Sequence, residues 1–460
     1  MERGIPIILV LSAILLIFAG IAALSPLPEK QVPDFYVGGI QVNEPDHRQW
    51  VSTLKQTGMN TVSVTVYAKQ GAWDGDNFWF EPEEPYVVKE IRTAKAAGMR
   101  VVLVLRVALD HAYIENEFLW HGMIAPKDGP TLDSWFQKYQ RFVLQWAEVA
   151  EAEGIDVLAI GSEMRNQSAS APAVVFPTLE EWYLNNAKQK IQRKRILKFS
   201  DQIPTDHLWV RGRGEFDELD DYLKAKADTF KGWAEQTTYA TEKNEKQRLD
   251  KINARRAQHL KHWRNIIAET RKVYNGKLSY AANFDNFEQI GFWKELDIIG
   301  INAYFALREP GDEEVYNANP QEYLTDRWGI VLDNIEVYRE MTGVANKPVM
   351  FTELGYTYRK YSTLEPWGGY GFSVVGPVGK EQLMVWPEQP VDFSERALAV
   401  KALHNAHEKL SSPMLNGILY WKLTTNKKHL EIEPFALHIG PGNNDSLQHA
   451  LAKFLEPSGE

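Results

Sequence analysis

Ile155-Asp156-Val157-Leu158-Ala159-Ile160-Gly161-Ser162-Glu163-Met164 and Lys347-Pro348-Val349-Met350-Phe351-Thr352-Glu353-Leu354-Gly355-Tyr356 are two short apolar runs, each bounded by turn residues and each carrying a glutamate where the run ends. A continuous apolar run of this length reads as a β-strand covered on both faces, the signature of a parallel sheet. In a closed α/β barrel the residue at the C-terminal end of such a strand points into the active-site mouth. One glutamate at a strand end can equally cap a helix or pair with a basic neighbour. Two of them, on separate strands, point to the paired carboxyl groups that cleave glycosidic bonds.

The rest of the chain supplies the other strands. Phe35 to Ile40, Thr61 to Val66 and Arg100 to Arg106 read as strands one to three, and the Glu163 run is the fourth. After the Asn275-Gly276 turn, Leu278-Ser279-Tyr280-Ala281-Ala282-Asn283 is a fifth and Leu296-Asp297-Ile298-Ile299-Gly300-Ile301-Asn302-Ala303-Tyr304 a sixth. The Glu353 run is the seventh, and Asn416-Gly417-Ile418-Leu419-Tyr420-Trp421 the eighth. Helices are expected between them, among them Asp46 to Gln56, Glu84 to Ala97 stopped by Gly98, and Leu132 to Glu153 stopped by Gly154. The fold class is therefore α/β, a (β/α)8 TIM barrel. A doubly wound open sheet is the alternative, but no Gly-rich phosphate turn follows the first strand.

One connection is out of proportion. Between Glu163 and Leu278 the stretch from about Gln167 to Asn253 is rich in Lys, Glu, Gln and Asp. It reads as a mainly helical insertion in the fourth βα loop, with segments Thr178 to Phe199, Glu215 to Trp233 and Thr241 to Asn253; the fourth barrel helix then runs from Ala254 to Tyr274. Because βα loops build the catalytic face, the insertion should rise beside the mouth as a wall or lid. Trp182 and Trp209 are its candidates for sugar contact.

The chain has 460 residues, 44% of them hydrophobic and 24% charged, enough to bury a sizeable core. Its net charge of −10 opposes nucleic acid as a partner, and the absence of cysteine excludes disulfides and thiolate metal sites. His259 and His262 are spaced to share a helix face but have no accompanying carboxylate motif, so a solvated face is expected rather than a metal site. At the N-terminus, Ile5 to Leu24 is apolar throughout apart from Pro6, Ser12 and Gly20. Its length suits an uncleaved membrane anchor, since about 20 residues span a bilayer, while small residues near Ala22 also fit a cleaved signal. Residues 1–28 are read as that segment and 29–460 as the barrel, exported and facing the extracytoplasmic side, either anchored to the membrane or secreted.

The chain resembles clan A glycoside hydrolases, and family 113 among them, a family known for β-mannanases. The resemblance rests on Phe118-Leu119-Trp120-His121-Gly122, on Trp135-Phe136 with Tyr139 and Phe142, on Ile160-Gly161-Ser162-Glu163-Met164, on Tyr280-Ala281-Ala282-Asn283, on Ile299-Gly300-Ile301-Asn302-Ala303-Tyr304-Phe305 and on Phe351-Thr352-Glu353-Leu354-Gly355-Tyr356. It covers about residues 35 to 425 apart from the insertion. By that resemblance Glu163 is the acid/base and Glu353 the nucleophile, Tyr304 hydrogen-bonds Glu353, and Trp421 forms an aromatic floor under the sugar. Two departures stand out. Asn302 replaces the usual Asp of strand six, and Arg106-Val107-Ala108-Leu109-Asp110 replaces a Lys-Pro-His segment of strand three. Asn302, Asp110 and Trp120 are the further candidate sugar contacts. The expected activity is retaining hydrolysis of a β-linked polysaccharide or oligosaccharide, with no metal or organic cofactor. A barrel that binds carbohydrate or serves envelope-polysaccharide assembly without catalysis is the alternative.

Overall fold

The computed structural model describes residues 35–198, 215–368, 373–375, 383–385, 389–410 and 414–456. The apolar N-terminal segment and Trp209 lie outside these residues. Among the described residues no helix is long and apolar enough to cross a membrane.

Eight parallel strands close on themselves: β1 (Tyr36–Gln41), β2 (Thr61–Gln70), β3 (Arg100–Leu109), β4 (Val157–Ser162), β5 (Lys277–Asn283), β6 (Ile299–Asn302), β7 (Val349–Leu354) and β8 (Leu415–Thr424). Each pairs with its sequence neighbours, and β8 pairs back onto β1, with Tyr36 opposite Gly417 and Ile40 opposite Trp421. The expected barrel is thus present, with β2 running on past Val66 and β6 shorter than its apolar run. The layering follows from the pleat. Val102, Val104, Val157, Ala159, Ala281, Met350 and Leu419 form a buried cluster of their own, while residues of the alternate parity, such as Val101, Leu103, Leu158 and Phe351, belong to the larger core with the surrounding helices.

Helices His47–Gln56, Pro85–Ala96 and Pro130–Ala152 follow β1, β2 and β3. Between β5 and β6, where a helix was expected from the alternating pattern, there are only single 3-10 turns, Phe287–Gln289 and Trp293–Glu295. Large side chains occupy the space a helix would fill. Phe292 stacks on Trp263 at 4.9 Å and meets Tyr280 edge-on at 5.6 Å, and the indole of Trp293 is buried with its Nε1 donating to Phe287 O.

The connection from β4 to β5 is helical, and it differs from the expected segmentation. Thr178–Leu184 and Asn186–Lys198 are separated at Asn185, Leu219–Thr237 follows, and Glu245–Val273 is one continuous helix. The segment expected to stop at Asn253 and the helix expected from Ala254 are therefore a single element. Nothing in 245–273 breaks a helix, since the span holds neither Gly nor Pro, and Asn244 caps its start by accepting from Gln247 N at 3.0 Å. Two buried indoles hold this module: Trp233 Nε1 donates to Met123 O at 3.0 Å in the loop after β3, and Trp263 Nε1 donates within the connection to Gln167 O at 2.8 Å. Its grip falls on the loop after β3, which carries Trp120 and His121.

Candidate active site

Glu163 lies one residue beyond β4 with φ at 52°, in the left-handed region that a non-glycine residue enters at a cost of about 1–3 kcal/mol. Its backbone is pinned there. Glu163 N donates to Ala281 O at 2.9 Å, and Arg165 N donates to Glu163 O at 2.9 Å. Two residues earlier only glycine fits: a Cβ at Gly161 would come within 2.7 Å of the Tyr280 ring and 2.8 Å of the Tyr139 hydroxyl. Those two tyrosines fix the strand end, Tyr139 donating to Ile160 O at 2.6 Å and Tyr280 accepting from Met164 N at 3.0 Å. Glu353 sits inside β7, fully flanked by strand.

The two carboxyl groups meet at one side chain, Arg106 of β3. Its Nη2 donates to Glu163 Oε2 at 3.1 Å and also to Glu353 Oε1, while Nε and Nη2 reach Ser162 Oγ at 3.3 and 3.2 Å. Each glutamate has a second partner of its own. His121 Nε2 lies 2.9 Å from Glu163 Oε2, and the Tyr304 hydroxyl donates to Glu353 Oε2 at 2.8 Å. The Arg106 guanidinium lies 5.1 Å from the centroid of the Trp421 ring, and Lys422 Nζ lies 4.6 Å from the same ring.

Burial and charge then set the protonation of this cluster. Burial alone would raise Glu163, but Arg106 and the His121 contact outweigh it and hold the carboxyl down at about 2. Glu353 goes the other way: burial and the nearby Glu163 charge push it up to about 7 against the pull of Arg106 and Tyr304. The two groups interact strongly enough to titrate as a pair. Burial lowers His121, leaving it neutral at pH 7. Burial opposes the Arg106 charge, yet Glu353 and Glu163 together raise its pKa.

Of the residues singled out in the sequence, Glu163, Glu353, Tyr304 and Trp421 are brought together around Arg106. Asn302 lies beneath them, fully buried, with Oδ1 accepting from Thr352 Oγ1 at 2.8 Å and Nδ2 at 3.5 Å from Ser162 Oγ. Its present contacts tie strands β4, β6 and β7 together under the carboxyl groups. Trp120 meets His121 edge-on at 5.0 Å. Asp110 makes no contact with the pair; its carboxylate accepts from Ala112 N at 2.9 Å and closes the turn after β3. Trp182 is partly exposed on the insertion beside Lys188, away from these contacts.

Arg106 and His121 were not among the candidates. The signal for Arg106 was present, because an arginine inside a Val/Leu run of a buried strand must find an opposite charge. His121 stood within the quoted Phe118-to-Gly122 segment, but its partner was not legible there. The His259 and His262 pair is not solvated as expected. His259 is buried with Nδ1 3.0 Å from Ala169 O, and His262 stacks on Phe136 at 4.5 Å with Nε2 2.9 Å from Asp133. Among the described residues no cluster of three His, Asp or Glu side chains could hold a metal ion. A cavity of about 910 Å³ lies on the barrel's outer wall between helices His47–Gln56, Pro85–Ala96 and Pro130–Ala152, and neither glutamate of the carboxyl pair lines it.

Comparison with known proteins follows the same residues. The model of Glycoside Hydrolase Family 113 matches residues 40–173 and 205–394. The unmatched stretch between them contains helices Thr178–Leu184 and Asn186–Lys198, so the departure is shorter than the insertion expected from the sequence, and Trp421 lies beyond the matched region. Among solved structures, one GH113 β-1,4-mannanase superposes with a TM-score of 0.55 at 16% identity, covering 92% of this chain and 99% of that one. The GH113 β-mannanase AaManA from Alicyclobacillus acidocaldarius, in complex with ManMIm, gives a TM-score of 0.52 at 17% identity over 92% and 97% of the two chains. A comparison with curated protein sequences finds no significant match.

Proposed function

The chain belongs to glycoside hydrolase family 113, and from that premise we propose that it is a retaining β-glycosidase that cleaves a β-linked polysaccharide or oligosaccharide of the β-mannan type. The observation that carries the reading is the shared donor. Because Glu163 and Glu353 accept from the same Arg106 nitrogen, their nearest oxygens lie within two hydrogen-bond lengths of each other, at most about 6 Å. That is close for an inverting pair, which needs about 6.5–9.5 Å to admit a water, and suits direct attack by one carboxylate.

In the proposed reaction a Glu353 oxygen attacks the anomeric carbon as the glycosidic C–O bond breaks, and Glu163 gives its proton to the departing oxygen. The glycosyl ester on Glu353 is then hydrolysed by water, whose proton returns to Glu163. Tyr304 keeps Glu353 oriented for both steps. The choice of β-mannan draws on the two related structures, whose substrates are mannans by description.

A second reading, carbohydrate binding without turnover, draws on the Arg106 and His121 contacts to Glu163, which favour its charged form over the protonated form a general acid needs. Reducing-end release from a panel of β-linked glycans separates the two. Hydrolysis that is lost in both Glu163→Gln and Glu353→Gln supports the enzyme; binding of a glycan without release by the parent protein supports the second reading. We further propose export through the segment from Ile5 to Leu24, on its apolar length. Membrane fractionation with N-terminal sequencing tests it, and a cytoplasmic, uncleaved product would refute it.

A further inference from the structure

Arg106 is the single group among the described residues that touches both carboxyl groups, and it does so through one nitrogen. Every other donor reaches only one of them: His121 from the loop after β3 serves Glu163, and Tyr304 beyond β6 serves Glu353. Further charged or titratable neighbours are Tyr67 within β2, Tyr280 on β5 and Lys422 on β8, the last paired with Glu433 at 2.7 Å. The arginine is itself held in place, clamped on Ser162 Oγ and lying over Trp421.

This arrangement conflicts with the proposed chemistry in one respect. A general acid must hold a proton on its carboxyl group, yet a carboxylate that accepts from a guanidinium and an imidazole is stabilised in its charged form. The nucleophile needs the opposite, an ionised group, and a guanidinium beside it provides that. We propose that Arg106 is a positioning residue that decides which carboxyl group carries the pair's proton: while its Nη2 bridges both, Glu163 is held ionised, and when Nη2 stays with Glu353 alone the proton resides on Glu163, where the leaving oxygen can take it. The proton passes from one carboxyl group to the other, with no other reactant consumed. The proposal rests on the acid/base and nucleophile roles given above for the pair.

The test reads protonation directly and needs no turnover. The full-length protein is labelled with 13C at the glutamate carboxyl carbons, and the two signals are identified by their loss in Glu163→Gln and Glu353→Gln. In the unliganded parent, Glu353 should titrate near neutrality and Glu163 well below the ordinary carboxylate range. In Arg106→Gln the Glu163 midpoint should rise by about two pH units, the effect of removing one adjacent cation, and in Arg106→Lys, which cannot reach both groups from one nitrogen, it should rise by less. A Glu163 midpoint that does not move in either variant overturns the proposal. Should both variants fail to fold by near-UV circular dichroism, Glu353→Gln retains the arginine for Glu163 alone, and a Glu163 midpoint at or above the ordinary range in that protein overturns it equally. Failure of the parent to hydrolyse any glycan counts against the hydrolase reading and leaves the titration as the judge of Arg106; an unmoved midpoint in an active enzyme counts against Arg106 only.

Discussion

Replacing Tyr304 by phenylalanine removes one hydroxyl and little else. The ring is buried, and its edge-on packing against Phe435 at 6.1 Å survives the change, so the fold should be kept. What is lost is the 2.8 Å bond to Glu353 Oε2. A hydrogen bond to a charged group contributes about 1.5–3 kcal/mol. At about 1.4 kcal/mol per tenfold in rate, the expected fall in kcat/KM is about tenfold to a hundredfold. The pH dependence has a definite sign as well. Tyr304 lowers the Glu353 pKa, so its removal raises that pKa further; a nucleophile must be ionised, and the acid limb of the profile therefore moves to higher pH. The assay is kcat/KM for an aryl β-mannoside from acid to mildly alkaline pH. A fall of less than about twofold with an unmoved acid limb would refute the role of this contact in catalysis.

Three other changes test separate parts of the account. Glu163→Ala should lose most activity on unactivated glycans, about a hundredfold or more, yet regain turnover of an activated aryl glycoside when azide is added, yielding a β-glycosyl azide; an α-azide would reverse the roles of the two glutamates. Glu90 is buried on helix Pro85–Ala96, where it accepts from Trp50 Nε1 at 3.1 Å, and burial pushes its pKa up to about 7. A carboxyl group raised in the folded state destabilises the fold as pH climbs from its unfolded value through 7, so Glu90→Gln should stabilise the protein at pH 8 by up to about 3 kcal/mol and have little effect below pH 4.5; urea unfolding at both pH values decides it. Trp233→Ala should cost about 3–5 kcal/mol by the same method and also reduce kcat, because the indole both fills the insertion's core and braces the loop that carries His121. Lost stability with unchanged kcat would show that the loop holds without it.

Much of this was legible in the chain because parallel strands buried on both faces leave an unambiguous mark. The Ile155-to-Met164 and Lys347-to-Tyr356 runs gave both the strands and the glutamates at their ends, since strand period and barrel direction together dictate where such residues point. Helix boundaries followed where glycine marks them, as at Gly98 and Gly154. They failed where a composition change was taken for a break: the polar first half and apolar second half of Glu245–Val273 differ because one end stands on the insertion and the other packs on the barrel, with no interruption of the backbone. The missing helix between β5 and β6 was hidden for a related reason, because Phe292 and Trp293 look like helix-face residues and instead act as a plug over Tyr280.

The site was half legible. Tyr304 and Trp421 were marked by the family resemblance at strand ends, but Arg106 and His121 act through partners on other strands, and pairing across a barrel is not written in local spacing. Asp110 is open for a different reason. A carboxylate just past a strand end is as well suited to closing a turn as to meeting a sugar, and its bond to Ala112 N shows the first role.

The most direct measurement is the anomeric configuration of the first product. Proton NMR during digestion of a β-1,4-mannooligosaccharide should show the β-anomer of the new reducing end before mutarotation, and no new reducing end with Glu353→Gln. The α-anomer appearing first would contradict the retaining assignment of Glu163 and Glu353.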